Sequence, residues 1–281
     1  MKIDILVVVV IYKTLPVNSI AVSSLLGCVG YFEGRIRVVV YDNSPVGEWG
    51  VADENFEYFA AKDNNGLACA YNYGLQRAVD SGAFLLVTLD QDSVVSKEYI
   101  EALGRIEVEQ DSCIAVYCPK IIASGRHISP YYFDWKGFPH FDDKGVVSEA
   151  INSFSAYSVS HLRSLGGFEE FYWLDALDFS SFSRIERAGW RVGEVPVTVS
   201  HDLSVVSGNV PLWRLKNIAY YESCFLFEYV GFFRIVFGLV RILIRSARLL
   251  LSSGCFKSIF SIFGYMLYGA ALGVRRRLLN R

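Results

Sequence analysis

The sequence predicts an α/β fold in which a central, mostly parallel sheet is flanked by helices. Three apolar runs carry this prediction, since each has the length of a strand with few polar interruptions: 5–11, 37–41 and 84–89. Such strands are typical of sheets covered by helices on both faces. Helical spacing of apolar residues at 16–31 and 67–79 separates the runs. Alternation of this kind indicates parallel β–α–β units.

The rest of the chain up to about residue 200 continues the pattern. We expect strands at 56–59, 114–117, 154–159 and 195–200, a helix at 97–109, and a helix that runs through Arg184 and Arg187 and stops at Gly189. Residues 123–150 show no clear period. Irregular segments of this length inside a compact domain are usually functional loops.

An acidic pair closes the central run 84–89. Asp90 and Asp92 are separated by Gln91. Because side chains alternate along an extended backbone, the two carboxylates point the same way and Gln91 turns aside. Paired hard oxygen ligands suit Mg²⁺ or Mn²⁺, which takes phosphate oxygens and water as its other ligands. The pair therefore predicts a metal-bridged diphosphate site.

Two other roles fit an acidic pair at the end of a strand. Acids there are common as helix caps. Asp90, Asp92 and Glu101 also fall at the first, third and twelfth positions of an EF-hand calcium loop, but Val95 stands where that loop needs glycine. Neither GxGxxG nor GxxxxGK[ST] occurs, so a dinucleotide-binding fold and a P-loop are not supported.

A second polar cluster, 42–45, follows the strand 37–41, at the edge where open α/β sheets bind ligands. Further along, Asp175 and Asp178 lie three residues apart among aromatic residues, so we expect them on one helical face. Apolar rings desolvate a carboxylate and raise its basicity, as a general base requires. A capping Asp beside a partner of Arg184 fits the segment equally well.

Charge divides the chain into two parts. Residues 1–211 carry 16 Lys+Arg and 27 Asp+Glu, whereas 212–281 carry 11 and 2. An acidic body argues against a nucleic-acid partner, and a basic, apolar tail favours an anionic membrane surface. The six cysteines form no CxxC pair and the amino-terminal residues do not resemble a signal peptide, so we expect a cytoplasmic protein.

The tail has two apolar segments. Within 225–251, the spacing of Arg234, Arg241, Arg245 and Arg248 places them on one face of a helix. Burying these charges in hydrocarbon would cost roughly 2.5–3.5 kcal/mol each, so this helix should lie on a membrane rather than cross it. The uncharged segment 258–274 contains three glycines, and we expect a second interfacial or re-entrant helix. Packing of both helices on the body, or in a homo-oligomer, is the structural alternative.

Taken together, these segments resemble the family 2 inverting glycosyltransferases of GT-A fold, in particular the rhamnosyltransferase-like branch of bacterial polysaccharide assembly. The resemblance covers about 5–201. It is most specific in the block from Asn65-Gly66-Leu67-Ala68 to Asn72-Tyr73-Gly74, in Leu89-Asp90-Gln91-Asp92-Ser93, and in Leu165-Gly166-Gly167-Phe168 with the acidic stretch, Arg184 and Gly189 that follow it.

The resemblance implies roles by position. It makes Asp178 the catalytic base, Asp175 the acid one turn earlier, and Asp90, Asp92 and His201 the ligands of Mg²⁺ or Mn²⁺. The implied nucleotide-sugar-binding residues are Tyr12, Asp42, Asn43, Ser44, Asn65, Gly66, Asn72 and Asp90. Ser180 departs from the family, which usually carries a second acid two residues after the base.

It also implies a substrate pair: a nucleotide-diphosphate sugar, with dTDP-L-rhamnose ahead of UDP-hexoses and UDP-galactofuranose, and a lipid-linked saccharide acceptor at the inner face of the cell membrane. Two rival functions stay open. A nucleotidyltransferase would use the same acidic strand end, but only Lys13 and Lys62 offer charge for a triphosphate. A catalytically silent sugar-nucleotide-binding subunit would explain Ser180.

Overall fold

The computed structural model describes residues 4–29, 34–45, 54–106, 113–133, 139–141, 149–201, 211–253 and 259–279. The strands in these ranges are β1 (Ile5–Ile11), β2 (Ile36–Asp42), β3 (Phe56–Ala60), β4 (Leu85–Asp90), β5 (Ile114–Ala123), β6 (Arg126–Ser129), β7 (Tyr132–Phe133), β8 (Pro139–His140), β9 (Ser155–Ser158) and β10 (Arg191–Ser200). The helices are α1 (Ile20–Val29), α2 (Gly66–Ser81), α3 (Lys97–Gly104), α4 (Val159–Ser164), α5 (Leu177–Arg187), α6 (Leu212–Tyr229), α7 (Phe232–Ser253) and α8 (Ile259–Leu279).

The main sheet has the order β10-β5-β9-β4-β1-β2-β3, with β6 beside β5. The pairs β1–β2, β1–β4, β2–β3 and β5–β10 are parallel. β9 runs antiparallel to both β4 and β5, and β6 runs antiparallel to β5. The predicted mostly parallel sheet is thus confirmed, and short strands occupy part of the segment expected to be irregular.

Strand β1 lies in the middle of the sheet and is buried along its whole length. Its even-numbered residues belong to the core layer that contains α2, and its odd-numbered residues to the layer that contains α1 and α3. Burial on both faces explains why its sequence is an unbroken β-branched run rather than an alternating one. Register places Ile11 opposite Asp42 and Val10 opposite Asp90, so β1, β2 and β4 end together at one edge.

The tail begins with α6, a helix that the sequence analysis did not predict. α6 ends at Tyr229, and the extended backbone of Val230 separates it from α7, so the apolar segment 225–251 is two helices rather than one. α8 packs along α6, another helix of the tail, and its Arg276 also forms an ion pair with Glu169 of the body. No described helix combines the length and the hydropathy needed to cross a bilayer.

Arg234 of α7 pairs with an acid of the body. Nη2 of Arg234 lies 3.9 Å from Oε1 of Glu149, a residue of the body that is only 3% exposed. Val236, Val240 and Ile244 are among the exposed residues of this helix. Arg234 therefore has a buried partner in the body, which the spacing of the tail arginines did not indicate. The side chains of Arg245 and Arg248 lie outside the described residues.

Candidate active site

Three potential metal ligands meet at the carboxyl edge of the sheet. Asp90 is the last residue of β4, Asp92 lies in the following turn, and His201 directly follows β10. One ligand atom from each lies within 4.8 Å of the other two, and Nε2 of His201 is 3.6 Å from Oδ2 of Asp90. The fold thus brings together residues that are far apart in sequence.

The spacing and chemistry of these three side chains fit one divalent cation. Ligand atoms about 2.1 Å from a common Mg²⁺ or Mn²⁺ lie up to about 4.2 Å apart, so a small rotation of a carboxylate suffices. Two carboxylates and one imidazole form a mixed O/N ligand set suited to such ions. Asp92 is exposed and His201 is buried, which leaves the solvent side of the cluster open for phosphate oxygens.

Backbone and hydroxyl contacts hold this edge in place. The N–H of Asp90 donates to Oγ of Ser153 over 3.3 Å, and Ser153 also shares a 2.8 Å hydrogen bond with Ser93. The N–H of His201 donates to the carbonyl of Ile122 in β5. Neighbouring segments therefore hold the backbone of Asp90 and of His201, two of the potential metal ligands, in place.

Asp178 lies in the first turn of α5, and its Oδ1 accepts a 3.2 Å hydrogen bond from the N–H of Asn152. The Asp178 side chain is half-buried. The protein packed around it disfavours the charged carboxylate, and this burial is the main reason why its pKa rises to about 7. The charges of Asp90 and Asp175 add to the rise, whereas the hydrogen bond opposes it. A carboxylate with a pKa near neutrality has the basicity that general-base catalysis requires.

Asp175 does not share a helical face with Asp178, so that prediction is wrong. α5 begins at Leu177, and Ala176 adopts a left-handed conformation with φ of 62°, which turns the chain between the two acids. Oδ1 of Asp175 accepts a 3.0 Å hydrogen bond from Nε of Arg214 in α6. Its charge still contributes to the raised pKa of Asp178.

Arg184 and Ser180 also have structural partners. The Arg184 guanidinium donates to the carbonyls of Gly167 and Leu165, so it does not pair with an aspartate of α5 as the capping interpretation supposed. Ser180 is buried, and its hydroxyl donates to the carbonyl of Leu177. The position where the family usually carries a second acid therefore faces the interior of the protein.

Asp42, at the end of β2, is buried and accepts two hydrogen bonds. Tyr58 donates its hydroxyl to Oδ2 over 2.7 Å, and the N–H of Ser44 donates to Oδ1 over 2.8 Å. The hydroxyl of Ser44 in turn accepts from the N–H of Lys13.

Tyr12 is exposed at the end of β1, and its N–H donates to Oε1 of Gln91. Gln91 thus points toward β1, away from the metal ligands, as alternation predicts.

Asn43, Asn65 and Gly66 join β2 to the start of α2. The amide of Asn43 donates to the carbonyl of Gly66 and accepts from the N–H of Asn65. Gly66 has a φ of +80°, and a Cβ there would overlap the carbonyl oxygen of Trp173. The N–H of Leu67 donates to that same carbonyl. This loop is therefore locked to the segment that precedes α5.

Asn72 lies in α2 and contacts Phe168 and Glu170 rather than the potential metal ligands. Its Nδ2 donates to the carbonyl of Phe168, and its Oδ1 accepts from the N–H of Phe168 over 2.7 Å. These bonds fix the turn at Gly167, where a Cβ would meet the Asn72 side chain. A nucleotide-sugar-binding role for Asn72 stays a prediction, and the structure gives it a clear structural one.

Several residues of the site carried no signal in the sequence. Tyr58, Asn152, Ser153 and Trp173 act through contacts between distant segments, and none lies in a recognisable pattern. Asn152 and Ser153 directly precede a predicted strand, so their positions at the sheet edge could have been suspected. The partners that they take there depend on β9 running antiparallel beside β4.

The fold and this site define a glycosyltransferase of GT-A fold. A family model described as "Glycosyl transferase family 2" matches residues 7–166. The chain belongs to that family. The match includes most of β1, the loop before α2, and the acidic pair Asp90 and Asp92.

Solved structures agree on the fold. GalNAc-T7 with UDP, GalNAc and Mn²⁺ aligns with a TM-score of 0.61 at 14% identity, over 95% of this chain and 57% of that one. The mannosyltransferase PcManGT from Pyrobaculum calidifontis, in complex with GDP-Man and Mn²⁺, aligns with a TM-score of 0.52 at 14% identity, over 100% of this chain and 88% of that one. The chain thus spans little more than half the length of the first of these structures. No curated protein matches it in sequence.

Proposed function

We propose that this glycosyltransferase inverts the configuration of the sugar it transfers, and that Asp178 is its general base. The observation that carries the proposal is the position of Asp178, a carboxylate with a pKa near 7 whose charge interacts with that of Asp90 in the metal-ligand cluster. A single displacement at the anomeric carbon requires a base close to the edge that binds the diphosphate, because the hydroxyl attacks from one face while the diphosphate leaves from the other.

In the proposed reaction, Asp178 removes the proton from an acceptor hydroxyl. The hydroxyl oxygen attacks the anomeric carbon from the face opposite the nucleoside diphosphate, which leaves as the new glycosidic bond forms. The N–H of Asn152 orients the Asp178 carboxylate through Oδ1 and leaves Oδ2 for the proton. A divalent cation at Asp90, Asp92 and His201 would neutralise the charge that develops on the leaving diphosphate.

Replacement of the base tests this proposal directly. Asp178→Asn keeps the shape and the acceptor of the Asn152 N–H but lacks the basicity, so we expect transfer to fall by about 10²–10⁴-fold. Binding of the nucleotide sugar should be retained. Asp80→Asn, at an exposed carboxylate near the far end of α2, is the control. Wild-type turnover in Asp178→Asn would overturn the base assignment.

For the donor we propose dTDP-L-rhamnose, on the resemblance of 65–74 and 89–93 to the rhamnosyltransferase branch, with UDP-hexoses and UDP-galactofuranose as alternatives. A thermal-shift screen of dTDP-L-rhamnose against UDP-sugars and GDP-mannose, with and without Mn²⁺, decides among them. A metal-dependent rise in Tm with dTDP-L-rhamnose alone is the expected result. Stabilisation by a UDP-sugar instead would replace this donor.

The acceptor is proposed to be a saccharide on a lipid carrier, with the protein attached to the cytoplasmic face of the membrane through α7 and α8. The support is the exposed apolar surface of these helices, which monomeric soluble proteins rarely carry at this extent. Its members with at least 45% exposure are Phe232, Val236, Val240, Ile244, Phe260, Phe263, Leu267, Tyr268, Leu278 and Leu279.

Vesicle binding tests the membrane proposal. The triple variant Val236→Ser, Val240→Ser, Ile244→Ser removes one exposed apolar stripe and should float less with anionic vesicles than the wild-type protein. Val94→Ser, at an equally exposed valine beside the metal site's turn, is the control for apolar exposure alone. If the triple variant binds vesicles as the wild type does, this surface of α7 does not contact the membrane.

A silent sugar-nucleotide-binding subunit is the second candidate, and the interior position of Ser180 favours it. In that case Ser180→Asp would not create transfer, and no donor would be consumed by the wild-type protein with any acceptor extract. Consumption that depends on Asp178 would exclude this candidate.

A further inference from the structure

Tyr71 has a buried hydroxyl close to the site. It lies in the second turn of α2, its side chain has no exposed surface, and its ring packs on Phe168 at 5.1 Å between centroids. The hydroxyl makes no hydrogen bond of standard geometry with any described residue. A buried hydroxyl without such a bond is unfavourable, so its presence calls for a reason.

The direction of α2 explains where this hydroxyl lies. α2 begins after β3, at the carboxyl edge of the sheet, and runs back toward the start of β4. Helical side chains tilt toward the amino terminus of their helix, so Tyr71 leans toward the site. Gly74, one turn later, lets the helix approach β1 closely, since a Cβ there would meet Cβ of Val8 at 2.8 Å.

Two acids of the site lie close to the hydroxyl. Burial raises its pKa well above the ordinary tyrosine value, the charges of Asp90 and Asp178 add to the rise, and Asp90 is near enough to accept a hydrogen bond from it. Asp178 already accepts from the N–H of Asn152 and must keep its other oxygen for the acceptor proton. Asp90 is therefore the partner to which the hydroxyl can donate without impairing the base.

We propose that Tyr71 is a positioning residue for the metal-binding edge: its hydroxyl donates a hydrogen bond to Asp90 and fixes that carboxylate for the cation. The inference rests on the proposed metal-dependent function. A carboxylate that binds a cation through one oxygen keeps the other for such a donor, and outer hydrogen bonds of this kind typically change metal affinity by about 10–100-fold. None of the residue patterns in the sequence points to this role.

The test compares two buried tyrosines by Mn²⁺ titration, without donor or acceptor. Tyr71→Phe removes only the hydroxyl, and we expect Mn²⁺ affinity to fall about tenfold, with Tm in EDTA unchanged or higher. Tyr99→Phe is the control, because Tyr99 is equally buried but donates its hydroxyl to the carbonyl of Phe154. It should lower Tm in EDTA and leave Mn²⁺ affinity unchanged.

Mn²⁺ affinity within twofold of wild type in Tyr71→Phe would overturn the proposal. So would a lower Tm in EDTA together with an equal loss of affinity in both variants, since a packing role alone predicts that result. Because the readout is metal binding, it is independent of transfer. A wild-type protein that binds Mn²⁺ but transfers no sugar contradicts the proposed function, and the comparison of the two tyrosines still decides the role of Tyr71.

Discussion

The backbone N–H of Asn152 donates a hydrogen bond to Oδ1 of Asp178 over 3.2 Å. This bond favours the charged carboxylate and orients it, while burial and the nearby charges of Asp90 and Asp175 favour the protonated form. Burial is the largest effect, so the pKa rises from 3.8 to about 7. The balance of these effects leads to two predictions about pH.

Sugar transfer should decline with acid. Because only the carboxylate form of Asp178 accepts a proton, kcat/KM should fall about tenfold per pH unit below the pKa of this residue. A bound cation would offset the charge of Asp90, so the midpoint in Mn²⁺ should lie at or somewhat below pH 7. Asp175→Asn, which removes one of the charges that raise this pKa, should shift the midpoint lower still. A flat profile from pH 5 to 8 contradicts the assignment.

Stability should change with pH in the opposite sense. Between pH 3.8 and 7 the folded protein keeps a proton on Asp178 that the unfolded chain has released. The resulting stability is complete below pH 3.8 and is lost as the pH rises to 7. A shift of this size corresponds to an upper limit of about 4 kcal/mol, reduced by the solvent that reaches the side chain.

Asp178→Asn has no carboxylate at this position, so it should not lose this stability as the pH rises. We expect the difference in free energy of unfolding between the variant and the wild type, measured in urea with EDTA, to be more favourable to the variant at pH 8 than at pH 4, by about 1–3 kcal/mol. Asp80→Asn should show no such difference between the two pH values. An equal effect of Asp178→Asn at both pH values would mean that the carboxylate is well solvated in the folded protein.

Metal binding should depend on His201. Its Nε2 lies 3.6 Å from Oδ2 of Asp90, within one cluster of potential ligands. His201→Ala should weaken Mn²⁺ binding by more than about 100-fold, the upper range for outer contacts of a metal site. EDTA should abolish transfer by the wild-type enzyme. His161→Gln, at another buried histidine, one that contacts Ser158 and Trp190, is the matched control and should bind Mn²⁺ normally.

The sheet could be predicted from the sequence because burial on both faces leaves a local signature. The bounds of β1 are those expected, and the other predicted strands differ from the observed ones mainly at their ends. The acidic pair at the end of β4 also has a local signature, since its chemistry depends on two neighbouring side chains. His201, the third potential ligand, could be proposed mainly through the family resemblance, because a lone histidine after a strand indicates little by itself.

Long-range charge pairs explain what could not be predicted. α6 was not predicted, because its buried acids Glu222 and Glu228 interrupt the apolar pattern that would indicate a packed helix. The spacing placed Arg234 with the other tail arginines on one helical face, but it could not indicate the partner Glu149, which lies on a different part of the chain. Asp175 and Asp178 do not share a helical face because Ala176 between them adopts a left-handed conformation. An alanine in the sequence gives no indication of such a conformation.

A buried ion pair should hold α8 against α6. Nε of Arg276 donates to Oε2 of Glu228 over 2.6 Å, and Glu228, only 1% exposed, also accepts from the hydroxyl of Tyr172. Arg276→Met would leave a buried carboxylate without its cation, at a cost of about 3–5 kcal/mol. Urea unfolding measures the loss. Arg275→Met, at the exposed neighbour, should change stability little.

The double variant Arg276→Met, Glu228→Gln separates charge from packing. It removes both members of the pair, so most of the lost stability should return. If the double variant is as unstable as Arg276→Met alone, the loss comes from the other contacts of the guanidinium, which are its ion pair with Glu169 and its contact with the ring of Phe171, 4.1 Å away, rather than from the charge of Glu228.

Three glycines of α8 should respond differently to alanine. A Cβ on Gly269 would overlap the carbonyl oxygen of Tyr220, and a Cβ on Gly273 that of Cys224, both in α6, whereas nothing lies within 4 Å of a Cβ on Gly264. Gly269→Ala and Gly273→Ala must separate two helix backbones, which should cost about 1–3 kcal/mol each. Gly264→Ala should gain up to about 1 kcal/mol, because alanine favours the helix. The three free energies of unfolding, measured in urea, give the result; if Gly269→Ala and Gly273→Ala stabilise the protein as Gly264→Ala does, α8 does not pack on α6 in solution.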